Sequence, residues 1–269
     1  MTKINTSSFY LELNNSLLLR MKSYGNSNKK NYELYSNFRG KENMKILNFN
    51  IRFGGEKRTY KIVDYLLNND FDMIVLTEFI KNNNGKEIID KLVARGYKTQ
   101  PSNEDGKLGS FIASKEDFVT KNVQDRWAEV YIPKMDLYVL GVYVPDTLGT
   151  EKNMFWKKIL DYAEKNVDKK VLITGDFNSC TKEDSANGTE FNAKDLMKLK
   201  ELGYIDLWKY NASEDSERYT WFHYSGTGFR LDYAFVSPKL AVTLEDVSVY
   251  SDSQIRESKI SDHSPLVVI

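Results

Sequence analysis

The segment Val171-Leu172-Ile173-Thr174-Gly175-Asp176-Phe177-Asn178 is a short apolar run that ends in a carboxylate and an amide two residues apart. A run of that length fits a buried strand, and the polar pair at its end is delivered by a rigid element. The pattern recurs in both directions along the chain. Leu47-Asn48-Phe49-Asn50-Ile51 carries two amides whose spacing puts them on one strand face, and Asp72-Met73-Ile74-Val75-Leu76-Thr77-Glu78 ends in a carboxylate. Asp232 lies within Arg230-Leu231-Asp232-Tyr233-Ala234-Phe235-Val236, and Asp262-His263 immediately precedes the last apolar run. Strands are expected over 46–51, 73–77, 109–114, 129–132, 137–144, 171–174, 231–237, 247–250 and 265–269. Apolar residues at helical spacing predict helices over 58–69, 85–95, 150–165 and 192–202. Helices and strands interleave and several strands then follow in succession, which suits a layered α/β protein rather than a pure Rossmann sheet. Gly54-Gly55 is too short for a phosphate-cradling loop, so nucleotide-cofactor chemistry is not expected.

Composition narrows the class further. The 269 residues are 41% hydrophobic, and 38 basic residues balance 38 acidic ones, which excludes a strongly basic nucleic-acid coat protein. The longest mostly apolar stretch, 137–145, is far short of the roughly 20 residues that a spanning helix needs, so no membrane partner is expected. A single cysteine, Cys180, excludes an intramolecular disulfide, and nothing at the N-terminus reads as a leader, so a cytoplasmic location is expected. Residues 1–43 are dominated by Asn, Ser, Lys and Tyr. They are read as a polar N-terminal extension, with one marginal helix over 9–24 and a flexible tether over 26–43, ahead of a domain at 44–269.

Each polar strand end, taken singly, is most simply a cap or turn residue. Five such sites in one chain, mixing carboxylates, amides and an imidazole, point instead to a shared centre. Clustered carboxylates repel one another and raise each other's pKa unless a cation neutralises them. Glu78, Asn50 and Asp262 offer hard oxygen donors suited to Mg²⁺ or Mn²⁺, whereas zinc is disfavoured because Cys180 is alone and only His223 and His263 supply imidazoles. The rings of Trp127, Tyr138, Trp156, Trp208 and Phe235 are expected in the core. His223 reads equally as a neighbour of the site or as a strand residue.

The blocks Leu47-Asn48-Phe49-Asn50-Ile51-Arg52, Leu76-Thr77-Glu78, Val142-Tyr143-Val144-Pro145, Gly175-Asp176-Phe177-Asn178, Leu231-Asp232-Tyr233 and Ser261-Asp262-His263-Ser264-Pro265-Leu266 occur in a telling order. Together they resemble the endonuclease/exonuclease/phosphatase superfamily over essentially 44–269. The resemblance implies a four-layer α/β/β/α sandwich, two mostly antiparallel sheets face to face with helices outside. It implies a metal-dependent phosphodiester hydrolase with Glu78 as main metal ligand and Asn50 and Asp262 nearby. Asp176 would orient or deprotonate the attacking water, Asn178 would hold a non-bridging phosphate oxygen, and Asp232 would orient His263 toward the scissile phosphate. Tyr143 resembles the tyrosine that the exonuclease III and AP endonuclease branch places beside that phosphate. Tyr219–Tyr224 and Gly228–Tyr233 resemble the segment that lines that branch's sugar pocket. Trp221, Phe229 and Arg230, with Arg52, are therefore the expected substrate contacts. The expectation is a monomeric nuclease acting on DNA, with a phosphoesterase of a small or lipid phosphate as the alternative and a catalytically idle binding protein as a third reading.

Overall fold

Successive residues of the apolar runs face two different cores. Met73 and Val75 pack with Ala128, Val130, Val139, Leu172, Ala234 and Val236 in one cluster, while Ile74 and Leu76 pack with Ile62, Leu66, Ile88 and Leu92 in another. A strand buried on both faces reads as a continuous apolar run, which is why these segments show no polar alternation. The computed structural model describes residues 44–102, 105–214 and 216–269. The helix and tether expected over 1–43 lie outside the described residues.

The chain builds β1 (Ile46–Asn50), β2 (Met73–Ile80), β3 (Lys98–Pro101) and β4 (Leu108–Ser114) in a first sheet. It then builds β5 (Val119–Gln124), β6 (Trp127–Ile132), β7 (Leu137–Tyr143), β8 (Val171–Asp176) and β9 (Ile205–Asp206) in a second. A two-stranded ribbon of β10 (Trp221–Phe222) and β11 (Gly228–Phe229) follows. After it β12 (Asp232–Val236) returns to the second sheet, and β13 (Val249–Ser251) and β14 (Leu266–Val268) return to the first. The orders are β13-β14-β1-β2-β4-β3 and β5-β6-β7-β8-β12-β9. Only β1 with β2 and β7 with β8 pair in parallel within the two sheets, so both are mostly antiparallel.

Helices α1 (Thr59–Asn68) and α2 (Asn83–Ala94) cover the outer face of the first sheet. On the second, α3 (Thr150–Lys165) and α4 (Ala193–Glu201) bring Trp156, Ile159, Leu196 and Leu199 onto Leu140, Ile173, Tyr233 and Phe235. The result is the four-layer sandwich expected from the sequence. All four predicted helices form, and so do all nine predicted strands. The five strands not anticipated are β3, β5, β9 and the ribbon pair, and each is marginal or peripheral. β5, for example, has the burial pattern of a solvent-facing edge, with no apolar face to reveal it. Trp127, Trp156, Trp208 and Phe235 are buried as expected, and Tyr138 packs half-buried against the helix-covered core. Among the described residues no helix is long and apolar enough to cross a membrane.

At one end the inter-sheet core turns polar. Asn48 and Asn50 share the inward face of β1, and Asn48 donates across the gap to the Gly175 carbonyl at 3.0 Å. Gly175 has φ 151°, and a Cβ there would sit 1.9 Å from the Val142 carbonyl oxygen, so glycine is required where β8 runs against β7 just before Asp176.

Candidate active site

Strand register assembles one half of the site. β7 and β8 pair in parallel with Tyr143 beside Asp176, and β8 and β12 pair antiparallel with Asp176 beside Asp232. Three side chains therefore point into the inter-sheet end from adjacent strands. Asp176 and Asn178 flank Phe177, whose ring turns the other way into the core against Trp156, Tyr233 and Phe235 at 5.5 Å each. Asn178 sits at φ 45°, an uncommon backbone state for a non-glycine residue. It is tied down by its N–H to Asp176 Oδ1 at 2.8 Å and its side-chain amide to the Val144 carbonyl at 2.9 Å.

The first sheet supplies the other half through a β-bulge. Pairing of β2 with β4 passes from Thr77–Ser110 to Phe79–Gly109 and skips Glu78, which adopts φ 54°. By simple alternation Glu78 would share the helix-facing side with Ile74 and Leu76. The extra residue re-aims it into the site, a recurrent use of bulges. Asn50 then bridges the halves, its amide donating to Glu78 Oε1 at 3.0 Å and to Asp176 Oδ2 at 2.9 Å. The Phe53 N–H donates to Glu78 Oε2 at 2.8 Å.

His263 enters on the segment before β14. Its Nδ1 lies 2.8 Å from Asp232 Oδ2 and its Nε2 faces Asp176 Oδ2 at 4.0 Å. Ser261 holds this segment by donating to the Asn50 carbonyl at 2.7 Å, and Trp221 meets His263 in an isolated antiparallel bridge. Burial, then the adjacent Asp232 charge, pushes the Asp176 carboxyl up to about 7. Burial opposes charge on His263, but the Asp232 carboxylate and its hydrogen bond, with Asp176 and Asp262 behind, carry it up to about 10. Tyr143 is held well above the ordinary phenol range by burial, then by Glu78 and Asp176, so it stays a neutral donor. The Arg126 guanidinium stacks 4.5 Å from the Tyr143 ring.

This donor set fits a hard divalent cation. Asp176 and Asp232 bring carboxylate oxygens within 4.8 Å of each other, and Asp232 Oδ1 is buried with no hydrogen-bond partner among the described residues. Asp176 is raised because the centre resists a further negative charge, and a cation relieves that cost.

Two expectations need correction. Arg230 is not a substrate contact: it is wholly buried, with Nε and Nη2 on Asp184 Oδ1 at 3.1 and 2.7 Å, and Nη1 and Nη2 on Asp206 at 3.0 and 2.7 Å. Phe229 is packed with Phe191, Cys180 and Leu231, so it backs Trp221 instead of offering a face of its own. Asn50 turns its nitrogen to the carboxylates while its oxygen accepts from the Arg52 N–H at 2.9 Å, so in this structure it clamps Glu78 and Asp176 together. Asp262 stands at the exposed rim, 3.7 Å from Arg52, and Trp221 is half-buried beside His263. His223 belongs to the ribbon turn, bonded to Ser225 and tilted against Tyr224.

Sequence reading missed Lys152. It is buried on α3, burial lowers its pKa, and its Nζ donates to the Asn178 carbonyl, fixing the strained residue from below. The available signal was its place at i−4 from Trp156, on the helix face that packs inward.

The site thus sets a hydrogen-bonded Asp–His pair against further carboxylates at one end of a four-layer sandwich. The model of the endonuclease/exonuclease/phosphatase family matches residues 47–263, and the chain belongs to that family. It is 24% identical over 268 residues to the exodeoxyribonuclease III of Haemophilus influenzae, covering 83% of this chain and 98% of that one. An AP endonuclease structure from Archaeoglobus fulgidus superposes with a TM-score of 0.69 at 25% identity, over 84% of this chain and 98% of that one. A 3′–5′ exonuclease from Neisseria meningitidis shares the fold with a TM-score of 0.70 at 22% identity, over 84% and 99% of the two chains. These relatives set the chain beside the exonuclease III/AP endonuclease branch.

Proposed function

We propose that this protein is a Mg²⁺- or Mn²⁺-dependent phosphodiesterase that cleaves DNA. The observation that carries the reading is the buried Asp232–His263 pair, whose free imidazole nitrogen faces Asp176 across 4.0 Å. In this reading a phosphate oxygen sits at His263 Nε2, with the Asn178 amide and the Tyr143 hydroxyl as further donors. The Asp232 carboxylate fixes the ring orientation and keeps His263 charged, so the donor faces the charge that grows on the phosphorane-like transition state. Asp176, with its proton affinity raised to about 7, is suited to hold or accept the proton of the attacking water near neutral pH. Glu78, with Asp262 and the Asp176–Asp232 oxygens close by, would hold the cation, which supplies Lewis-acid charge neutralisation when bound. DNA is favoured as substrate because the relatives are named as an exodeoxyribonuclease and an AP endonuclease.

The test is to incubate the purified protein with Mg²⁺ on an abasic-site duplex, a plain duplex, sphingomyelin and a phosphoinositide. Turnover of either DNA at least tenfold above both lipids supports the reading. Preferential turnover of a lipid phosphate would transfer the same chemistry to the alternative substrate class.

A further inference from the structure

Beside the catalytic centre lies a cavity of about 260 Å³, lined by Arg52, Phe222, Arg256, Lys259, Ser261 and Asp262. Three cations line it beside Asp262, which lies 3.7 Å from Arg52, while Arg256 Nη2 lies 4.0 Å from Glu257 at the rim, and none of the chemistry proposed above uses Arg256 or Lys259. The cavity is built rather than incidental. The Arg256 guanidinium lies 4.2 Å from the centroid of the Phe222 ring, and its Nε reaches Ser264 Oγ at 3.3 Å, so its fork is held in place. Arg58 ties two walls together, donating to the Ile260 carbonyl and to the Arg52 carbonyl at 2.7 Å each. Lys259 is exposed at the mouth on a backbone with φ 60°. Asp262 closes the side toward His263, one residue away, and joins the cavity to the catalytic centre.

We infer that this cavity is a second phosphate subsite, which takes a non-reacting phosphodiester of the nucleic-acid strand whose neighbouring linkage is cleaved at His263. The inference rests on the proposed nuclease reading and deepens it. Arginine forks and a lysine are the donors of choice for phosphate oxygens. A strand held at two adjacent phosphates is fixed in register before chemistry, so the subsite favours polynucleotides over single diesters.

The experiment compares wild type with Lys259→Gln, Arg256→Gln and the double variant. Binding of a fluorescent duplex oligonucleotide is titrated against salt in EDTA, and kcat/KM is measured with Mg²⁺ on that oligonucleotide and on bis(p-nitrophenyl) phosphate, which has only one phosphate. The salt slope of binding should fall by about 0.9 for each charge removed. The ratio of kcat/KM for the oligonucleotide to that for the small diester should fall roughly tenfold or more in the double variant, mainly through KM. Lys259 is exposed, so its variant carries the test if Arg256→Gln unfolds early. Unchanged slopes and ratios would overturn the subsite while leaving DNA cleavage standing. Lowered slopes in a protein that cleaves no DNA would support the subsite and sink the nuclease reading instead.

Discussion

Replacing His263 with alanine should lower kcat/KM on DNA by about two to four orders of magnitude, the range seen when a preorganised donor or its orienting partner is lost. Asp232→Asn should lose most of the same amount, because the carboxylate both orients the ring through the 2.8 Å contact and keeps it charged. The double variant should be little worse than His263→Ala alone, since residues that act as a unit are not additive. Asp176→Asn should combine with either more nearly independently, because in this reading it acts on the water and meets the imidazole only across 4.0 Å. The pH profile separates this account from a merely structural one. With its pKa near 10, wild-type His263 stays protonated through neutral pH. Without the Asp232 charge that pKa drops, so the residual activity of Asp232→Asn should decline as pH rises through a range where wild type holds steady. Strict additivity of the two losses would dissolve the pair and leave Asp262 as the imidazole's partner.

The second large effect is on stability. Arg230 is wholly buried between Asp184 and Asp206, and its removal takes the buried cation from both carboxylates, leaving Asp184 only the more exposed Arg218 at 3.7 Å. Arg230→Leu should therefore destabilise the fold by about 3–5 kcal/mol in urea unfolding, and Arg230→Lys should rescue it poorly because one ammonium cannot serve both carboxylates with the same fork. Although burial alone would raise it, Asp184 is held down at about 2 by the Arg230 charge and by hydrogen bonds from Thr181 and Arg230. A depressed carboxyl stabilises the fold above its ordinary value of 3.8 and loses that contribution as pH falls toward 2. Wild type should thus weaken across that window, and a variant without Arg230 should lack this loss. A change below about 1 kcal/mol for Arg230→Leu would contradict the buried-triad assignment.

Most of the architecture is legible because its central strands are apolar on both faces and end abruptly in Asn, Asp or Glu. β1, β2, β8 and β12 announce themselves this way, and the two-residue spacing of Asp176 and Asn178 leaves Phe177 to face the core. β5 is illegible because an exposed edge strand has no buried face. Arg230 was misplaced because its motif sits beside Asp232, while its partners lie 46 and 24 residues away, a distance that local pattern cannot bridge. The orientation of Asn50 depends on Glu78 and Asp176 converging from different sheets, and Glu78 in turn depends on a bulge that no residue type in the segment signals. Lys152 was hidden for a similar reason, since a lysine near a helix start is ordinarily solvated.

The central claim is that a cation held by Glu78 acts with His263 on a DNA phosphodiester, and the Mg²⁺ dependence of DNA cleavage by wild type and Glu78→Gln tests it most directly. Cleavage should vanish in EDTA, return on adding Mg²⁺, and fall by orders of magnitude in Glu78→Gln with half-activation displaced to higher Mg²⁺. Undiminished cleavage in EDTA, or a Glu78→Gln protein with the wild-type Mg²⁺ response, would contradict it.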